Sequence, residues 1–414
     1  MDKKNKKEIL SWCMYDWANS AFATTILAAV LPIFYSEIAA NGLSKTTATS
    51  YWGYTNTLAM IVIALSSPLL GSIGDYTSKR KRFLFVFAAT GITATCLLFF
   101  IKEGQWLMAS IFFIFGRIGF GGGNIFYDSL LPYVAHEKII DQVSSLGYAL
   151  GYLGGGLLLT INLLMILKPK LFYIPDHIWA MRLSFISVAI WWALFSLPIF
   201  INVSEPGNSL SQKASIIIKK SFNNLMNTFQ QISDFKEPCK FLLAFWLYND
   251  GIGTIIIMAA IFGSEIGIGR NHLIGSILLV QFIGIPFTIL FGKLTKFIKT
   301  KSCILIGLIV YTMIVIFGYF INSSLDFLIL AIMVGMVQGG TQALSRSFFA
   351  RMIPKKDAAK FFSFYDVTAK FSGIVGPSLF GLIGQLTGSS RYGIIALIIF
   401  FFGGGMILLS VNPQ

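Results

Sequence analysis

Twelve long apolar segments restrict this chain to a narrow set of folds. A helix needs about 20 apolar residues to cross a bilayer. Segments of that length lie at 14–38, 51–74, 83–101, 106–131, 143–167, 178–201, 239–262, 272–293, 302–321, 325–350, 359–385 and 391–410. Only 12% of the residues are charged, against roughly 25% in soluble domains. We therefore predict an all-α polytopic membrane protein with twelve transmembrane helices.

The distribution of charge predicts the topology. The net charge is +14, but the cations lie in the loops between apolar segments, where the positive-inside rule explains them without a nucleic-acid partner. The runs at 3–7, 79–82 and 293–301 all fall on one side if both termini are cytoplasmic. The four cysteines and three histidines are scattered, so we expect no disulfide framework, no metal and no cofactor.

The chain divides into two similar halves around a polar connector. We predict six-helix halves at 1–201 and 239–414, joined by a cytoplasmic connector at 202–238 that contains an amphipathic surface helix. Gly292–Lys301 repeats the spacing of Gly71–Arg80, with Lys296 in the place of Asp75. Internal repeats of this kind are typical of alternating-access transporters, whose site lies near the midplane between the halves.

The loop at 71–82 combines a glycine, a carboxylate and four consecutive cations. Carboxylates and cations at such a turn can cap helix ends and hold two helix bundles together. We predict a conformational latch formed by Gly71, Asp75, Lys79 and Arg80. The alternative is that the cations act only as a topology signal.

Polar residues inside the first-half helices are candidates for substrate binding or coupling, because an ionisable group in an apolar helix costs about 2.5–3.5 kcal/mol to insert. The alternative for the carboxylate at position 16 is that it caps the helix or reaches water near the cytoplasmic end. The candidate residues of this half are Asp16, Asn19, Arg117, Asn124, Tyr127 and Asp128.

The second half supplies further candidates. Asp250 lies roughly 16 Å inside the seventh apolar segment, where it can take up a proton, bind a substrate amine or serve as a buried structural group. Asp366 and Lys370 have the i,i+4 spacing of an ion pair. Tyr248, Gln338 and Gln342 are candidates for lining the cavity. In the fifth segment, glycines recur at every fourth position and predict close helix packing. They are Gly147, Gly151 and Gly155.

Three motifs resemble those of the major facilitator superfamily. The loop pattern G-x-L-A-D-R-x-G-R-K matches at Gly71, Asp75, Lys79 and Arg80 but not at Tyr76 and Ser78. The pattern R-x-x-x-G-x-G matches at residues 117–123, and G-x-x-x-G-P-x-x-G-G matches at 147–156 except for a tyrosine in the place of the proline. The stretches 15–22, 147–156 and 338–347 resemble the bacterial "unknown major facilitator" group, which is similar to fungal vacuolar amino-acid effluxers linked to autophagy.

This resemblance implies a secondary active transporter of a small polar metabolite, with amino-acid efflux as the favoured activity. It implies that Gly71, Asp75 and Arg80 latch the outward-open state and that Arg117 takes part in proton coupling. A monomer in the bacterial inner membrane is expected. The alternatives are a lipid or lysolipid flippase on the same fold, a non-transporting sensor, and a membrane-embedded enzyme. The enzyme is disfavoured because no clustered His, Ser or metal-ligand set is visible.

Overall fold

In a computed structural model the chain is all-α. The structure describes residues 3–205, 220, 223, 226, 235–268 and 270–412. Within that part, twelve helices are long and apolar enough to cross a membrane. We label them α1 (Lys4–Ala39), α2 (Tyr51–Thr77), α3 (Arg80–Phe100), α4 (Trp106–Val134), α5 (Ile140–Leu167), α6 (His177–Asn202), α7 (Lys236–Ala259), α8 (Gly275–Leu294), α9 (Thr300–Phe320), α10 (Ser324–Met352), α11 (Lys355–Thr387) and α12 (Ser390–Ser410). The predicted connector helix lies almost entirely outside the described residues.

The first helix is much longer than predicted. Helical structure begins at Lys3 rather than near residue 14 and continues through two π-helical stretches, Phe22–Ala29 and Tyr35–Ala39. The start is helical because Ile9 and Trp12 are buried and the lysines and the glutamate within residues 3–8 are good helix formers. Asp16 therefore lies about 20 Å along the helix axis from the first helical residue.

Contact clustering divides the chain into two compact units. Unit 1 contains Met1–Val134, Leu150–Phe222 and Ala359–Ser363, and unit 2 contains Ala135–Ala149, Asn223–Ala358 and Phe364–Gln414. The predicted halves assign 135–149 to the first half and 359–363 to the second, whereas by contact these two segments have changed places. Thus α5 begins in unit 2 and α11 contributes five residues to unit 1.

In unit 1, α3 packs on α4 and α6, and α1 packs on α6. The α3–α4 crossing is close because two glycines face each other: a Cβ on Gly119 would lie 2.5 Å from the Cα of Gly91. The helices here are Lys45–Thr77, Arg80–Leu97, Trp106–Ser129, Leu131–Val134 and His177–Asn202, with 3-10 turns at Leu98–Phe100 and Pro169–Phe172.

In unit 2, α8 packs on α10, and α12 packs on α7 and α9. Both α11 and α12 are interrupted. The segments Ala358–Phe371 and Val375–Thr387 form α11 after a 3-10 turn at Lys355–Asp357, and the segments Ser390–Ala396 and Ile398–Ser410 form α12. The other helices run Lys236–Glu265, Arg270–Leu294, Thr300–Phe320 and Ser324–Met352, while Ile140–Leu167 begins here. The interruption of α11 brings backbone N–H groups to the middle of a membrane helix, where a polar partner is required.

Candidate functional site

A cluster of polar side chains joins α1 to α4 in unit 1. Asn19 Nδ2 donates to Asn124 Oδ1 over 2.7 Å, and Tyr127 Oη donates to Asp16 Oδ2 over 2.8 Å. The Tyr127 ring stacks on Trp12 with centroids 4.4 Å apart. Four of the predicted residues therefore come together, and we call Asp16, Asn19, Asn124 and Tyr127 the α1–α4 cluster.

The remaining candidates on α4 flank this cluster. Asp128 lies one turn after Asn124 and is half-buried. Arg117 is half-buried two turns before Asn124, at a distance along the axis of about 10 Å. The helix thus carries a cation on one side of the asparagine and a carboxylate on the other, a charge order that suits a zwitterion. Their roles in binding or coupling stay predictions.

Glycines on α5 allow the helix to approach the same face of α1. A Cβ on Gly151 would lie 2.6 Å from Ser20 Oγ and 3.3 Å from the carbonyl oxygen of Asp16, and one on Gly155 would lie 3.0 Å from the carbonyl oxygen of Ser20. A larger residue at either position pushes α5 away from α1. Both glycines thus lie at a close approach of the two helices, and Gly147 is buried on the same helix.

Asp250 lies at the interruption of α11 in unit 2. Its Oδ1 atom accepts hydrogen bonds from the N–H groups of Gly373 at 2.6 Å and Gly376 at 3.1 Å. Gly373 has φ of +100°, a left-handed conformation that glycine adopts without the penalty of a side chain. The carboxylate therefore caps the second segment of α11, whose first-turn N–H groups have no intrahelical partner.

The other oxygen of this carboxylate is unsatisfied. Asp250 is fully buried, and Oδ2 has no hydrogen-bond partner among the described residues. A buried polar atom without a partner carries a free-energy penalty of about 1–3 kcal/mol, so this oxygen is a place where a proton or a ligand would be stabilising. The adjacent Asn249 donates to Ser372 Oγ, which also lies in the interruption.

The other candidate side chains of unit 2 differ in their burial and in their hydrogen bonds. Asp366 and Lys370 form the ion pair that their spacing predicts. Tyr248 is buried, and its hydroxyl is 2.7 Å from Ser345 Oγ. Gln338 and Gln342 are half-buried on α10 and make no hydrogen bond to another described residue, so both amides are available to a ligand.

The predicted latch is built as a cap from one helix to another. Asp75 accepts hydrogen bonds from the N–H groups of Ala359 at 3.0 Å and Lys360 at 2.7 Å, in the first turn of the Ala358–Phe371 segment. Arg80 donates to Asp75 Oδ1 through Nε at 3.1 Å and Nη2 at 2.6 Å. A Cβ on Gly71 would lie 2.4 Å from the carbonyl oxygen of Ala359. Both segments of α11 thus begin at a carboxylate from another helix.

One of the two departures from the loop motif has a conformational consequence. Ser78 occupies the glycine position and has φ of +50°, so a residue with a Cβ is held in the left-handed region. Such a conformation costs roughly 1–2 kcal/mol for an L-residue. Lys79 precedes α3 as its N-cap residue without a capping side-chain bond.

One group of buried charges escaped the sequence prediction. Asp141, near the start of α5, is bonded to Thr300, Ser347 and Arg351, and Arg346 is bonded to Ser144. The available signal was weak, because an acidic residue in the first turn of a helix is common. No group of three or more His, Cys, Asp or Glu side chains that could hold a metal occurs in the described ranges.

Twelve helices of membrane-spanning length in the described part of the chain, with polar clusters in each unit and a carboxylate cap at the α2–α3 loop, indicate a class of protein. Solved structures with the same fold include the proton:xylose symporter XylE bound to 6-bromo-6-deoxy-D-glucose, with a TM-score of 0.71 and 14% identity over 98% of this chain and 94% of that one. A bacterial homologue of the iron transporter ferroportin in the outward-facing state gives a TM-score of 0.71 and 12% identity over 100% of both chains. The protein has the fold of a major facilitator superfamily transporter.

Sequence comparison specifies the family. Residues 4–414 match the family described as "Vacuole effluxer Atg22 like", and the chain belongs to it. An uncharacterized MFS-type transporter, YxiO, of Bacillus subtilis (strain 168) is 39% identical over 100% of this chain and 97% of its own length. Autophagy-related protein 22 of Pichia angusta is 24% identical over 91% of this chain and 86% of its own. The chain is a multi-pass secondary transporter rather than an enzyme.

Proposed function

We propose that this transporter exports small amino acids from the cytoplasm and that a proton moving through Asp250 couples the transport to the pH gradient. The observation that carries the proposal is the fully buried carboxylate with one oxygen unsatisfied. A proton on Oδ2 removes a buried charge while Oδ1 continues to cap α11. Coupling then follows because protonation changes how strongly the carboxylate holds the interruption of α11.

The α1–α4 cluster has the composition that an amino acid requires. An ammonium group needs hydrogen-bond acceptors and negative charge, which Asp16 and Asn124 supply, and both of these side chains are ordered by bonds from neighbours. A substrate carboxylate needs a cation, and Arg117 on the same helix is the candidate. The family description as a vacuole effluxer supports solute transport. The outward direction is part of the proposal, because efflux from a vacuole delivers solute to the cytoplasm.

The arrangement of charge supports a location in a bacterial cytoplasmic membrane with both termini in the cytoplasm. Lysines and arginines cluster in the α2–α3, α8–α9 and α10–α11 connections, at 79–82, 293–301 and 355–356. These connections share a side with the termini. The positive-inside rule places that side in the cytoplasm. A monomer is the simplest form of this transporter, since each unit contains its own polar cluster.

Counterflow in proteoliposomes tests the proposal. Purified protein is reconstituted and offered labelled amino acids, small peptides, sugars and lysolipids, with and without an imposed pH gradient. We expect amino-acid movement that follows the gradient, and we expect Asp250→Asn to abolish the response to the gradient while exchange at equal pH persists.

The matched control is Asp326→Asn. Asp326 lies in the first turn of α10, in the same unit as Asp250, and its carboxylate accepts hydrogen bonds from the N–H groups of Asn322 and Ser323. This variant should keep full coupling. Coupling that survives in Asp250→Asn removes Asp250 from the mechanism. Movement of lysolipids with no movement of amino acids would replace the proposed substrate with a lipid.

A further inference from the structure

A cavity with a basic lining opens in unit 2, and Asn412 near the end of the chain lies at its wall. Its volume is about 550 Å³, and its other walls come from the start of α5, the α8–α9 connection and the end of α10. Sites for small ligands have volumes of roughly 300–1,000 Å³. This cavity, which we call the basic cavity, is therefore large enough to hold a ligand.

The lining of the basic cavity carries more positive than negative charge. Five cationic side chains line it, against the two carboxylates of Glu137 and Asp141. Asp141 is already paired with one of these cations, Arg351. Clustered charge of one sign raises the local concentration of ions of the opposite sign, so the cavity favours an anion. The five cations are Lys138, Lys296, Lys299, Lys301 and Arg351.

Three of these cations are available to a ligand. The side chains of Lys138, Lys296 and Lys299 are exposed, and none of them forms a hydrogen bond or an ion pair with another residue that the structure describes. Lys301 differs, because its Nζ atom donates to the Val411 carbonyl oxygen at 2.9 Å. Like charges that line one cavity repel each other, so a bound anion would remove an unfavourable interaction.

An exposed aromatic residue lies between two of these lysines in the sequence. Phe297 is 83% exposed in the turn after α8, and its N–H group donates to the Leu294 carbonyl oxygen at 2.9 Å. Lys296 precedes it and Lys299 follows two residues later. An aromatic side chain beside cations is typical of segments that rest on a membrane surface, where the ring enters the headgroup region and the cations meet anionic lipid.

We propose that the basic cavity binds the phosphate group of an anionic phospholipid and that Phe297 enters the same leaflet beside it. Lys296 and Lys299 bind the phosphate as point charges. Arg351, which is 28% exposed, adds the planar set of donors that suits a phosphate. A soluble phosphate ester has the same charged group but gives Phe297 no role. The site is independent of which solute the protein carries.

Native mass spectrometry of the purified protein measures the bound lipid. The protein is titrated with dioleoyl phosphatidylglycerol, which is anionic, or with dioleoyl phosphatidylcholine, which has the same acyl chains and no net charge. We expect the wild type to bind phosphatidylglycerol more tightly. The double variant Lys296→Gln, Lys299→Gln should bind it roughly 30-fold more weakly, because each lysine near anionic lipid contributes a factor of roughly five. Lys138→Gln tests the cavity from another segment of the chain and should weaken binding roughly fivefold.

A second double variant separates this site from a general effect of charge. Lys6→Gln with Lys7→Gln removes the same charge from exposed positions that do not line the cavity, and it should bind phosphatidylglycerol as the wild type does. Equal binding of the two lipids by the wild type overturns the proposal. An equal loss in the two double variants also overturns it.

Glycerol phosphate separates a lipid from a soluble ligand, because it contains the charged group without acyl chains. Phe297→Ser should weaken the binding of phosphatidylglycerol several-fold and leave that of glycerol phosphate unchanged. Glycerol phosphate that binds as tightly as the lipid, with no effect of Phe297→Ser on either ligand, would overturn the assignment to a phospholipid.

Discussion

Replacement of Asp75 by asparagine tests the predicted latch quantitatively. The carboxylate accepts four hydrogen bonds: two from Arg80 and two from the N–H groups of Ala359 and Lys360. Asparagine keeps one acceptor oxygen and replaces the other with an NH₂ group, which cannot accept from Lys360. Arg80, 2% exposed, also loses its charged partner. Hydrogen bonds to a charged group contribute about 1.5–3 kcal/mol each, so we expect the contact to weaken by about 2–3 kcal/mol.

Amide hydrogen exchange measures this change at the atoms concerned. A loss of about 2–3 kcal/mol corresponds to an increase of roughly 30- to 150-fold in the exchange rates of the Ala359 and Lys360 amides, if exchange follows opening of the contact. The matched control is Asp176→Asn, which alters an exposed cap at the start of α6, bonded to the Trp179 amide at 2.9 Å. Exchange at Ala359 and Lys360 that changes less than about threefold, or that rises equally throughout unit 1, would refute the role of Asp75.

Two further predictions concern backbone geometry. Ser78→Gly should stabilise the protein by about 0.5–1 kcal/mol, because glycine relieves the left-handed conformation at φ of +50°. A melting temperature at or below that of the wild type contradicts this prediction. The control is Ser66→Gly in the middle of α2, which should lower the melting temperature. Gly376→Ala should expel Asp250 from its cap, because the added Cβ would lie 2.0 Å from Thr254 Oγ1 and 2.9 Å from Asp250 Oδ1. Proton coupling should then fall as it does in Asp250→Asn, while Gly381→Ala, which has open space around it, should behave as the wild type.

The sequence was informative about the latch and the ion pair because both depend on short spacings. Asp366 and Lys370 are one turn apart, so their pairing needs only a helix. Gly71, Asp75 and Arg80 lie within ten residues of one another, and their motif predicted a contact between helices at this loop. What the motif did not contain is the partner: the N–H groups of Ala359 and Lys360 are 284 and 285 residues away along the chain.

The candidate sites were predicted less completely for the same reason. Asp250 was identified by its position in an apolar helix, but neither the interruption of α11 nor the cap was foreseen, although Gly373, Gly376 and Pro377 are helix-breaking residues at that point. The partners of Asp141 are 159, 206 and 210 residues away. A pattern within α5 carries no information about them, so a buried and hydrogen-bonded carboxylate looked like an ordinary first-turn acid.

Hydropathy is a local property, and it was enough to predict the twelve membrane helices that the described part of the chain contains. The internal repeat indicated two similar halves, and the motifs were recognised by their resemblance to a known family. Only the tertiary structure decided which buried charges meet, because hydrogen-bond partners in a bundle are chosen by packing between segments far apart in the chain. The exchange of residues 135–149 and 359–363 between the two contact units is the clearest example. Each of these two segments packs in the unit that contains its hydrogen-bond partners. Without those partners a carboxylate, a cation or a row of N–H groups would be unpaired in a low-dielectric interior.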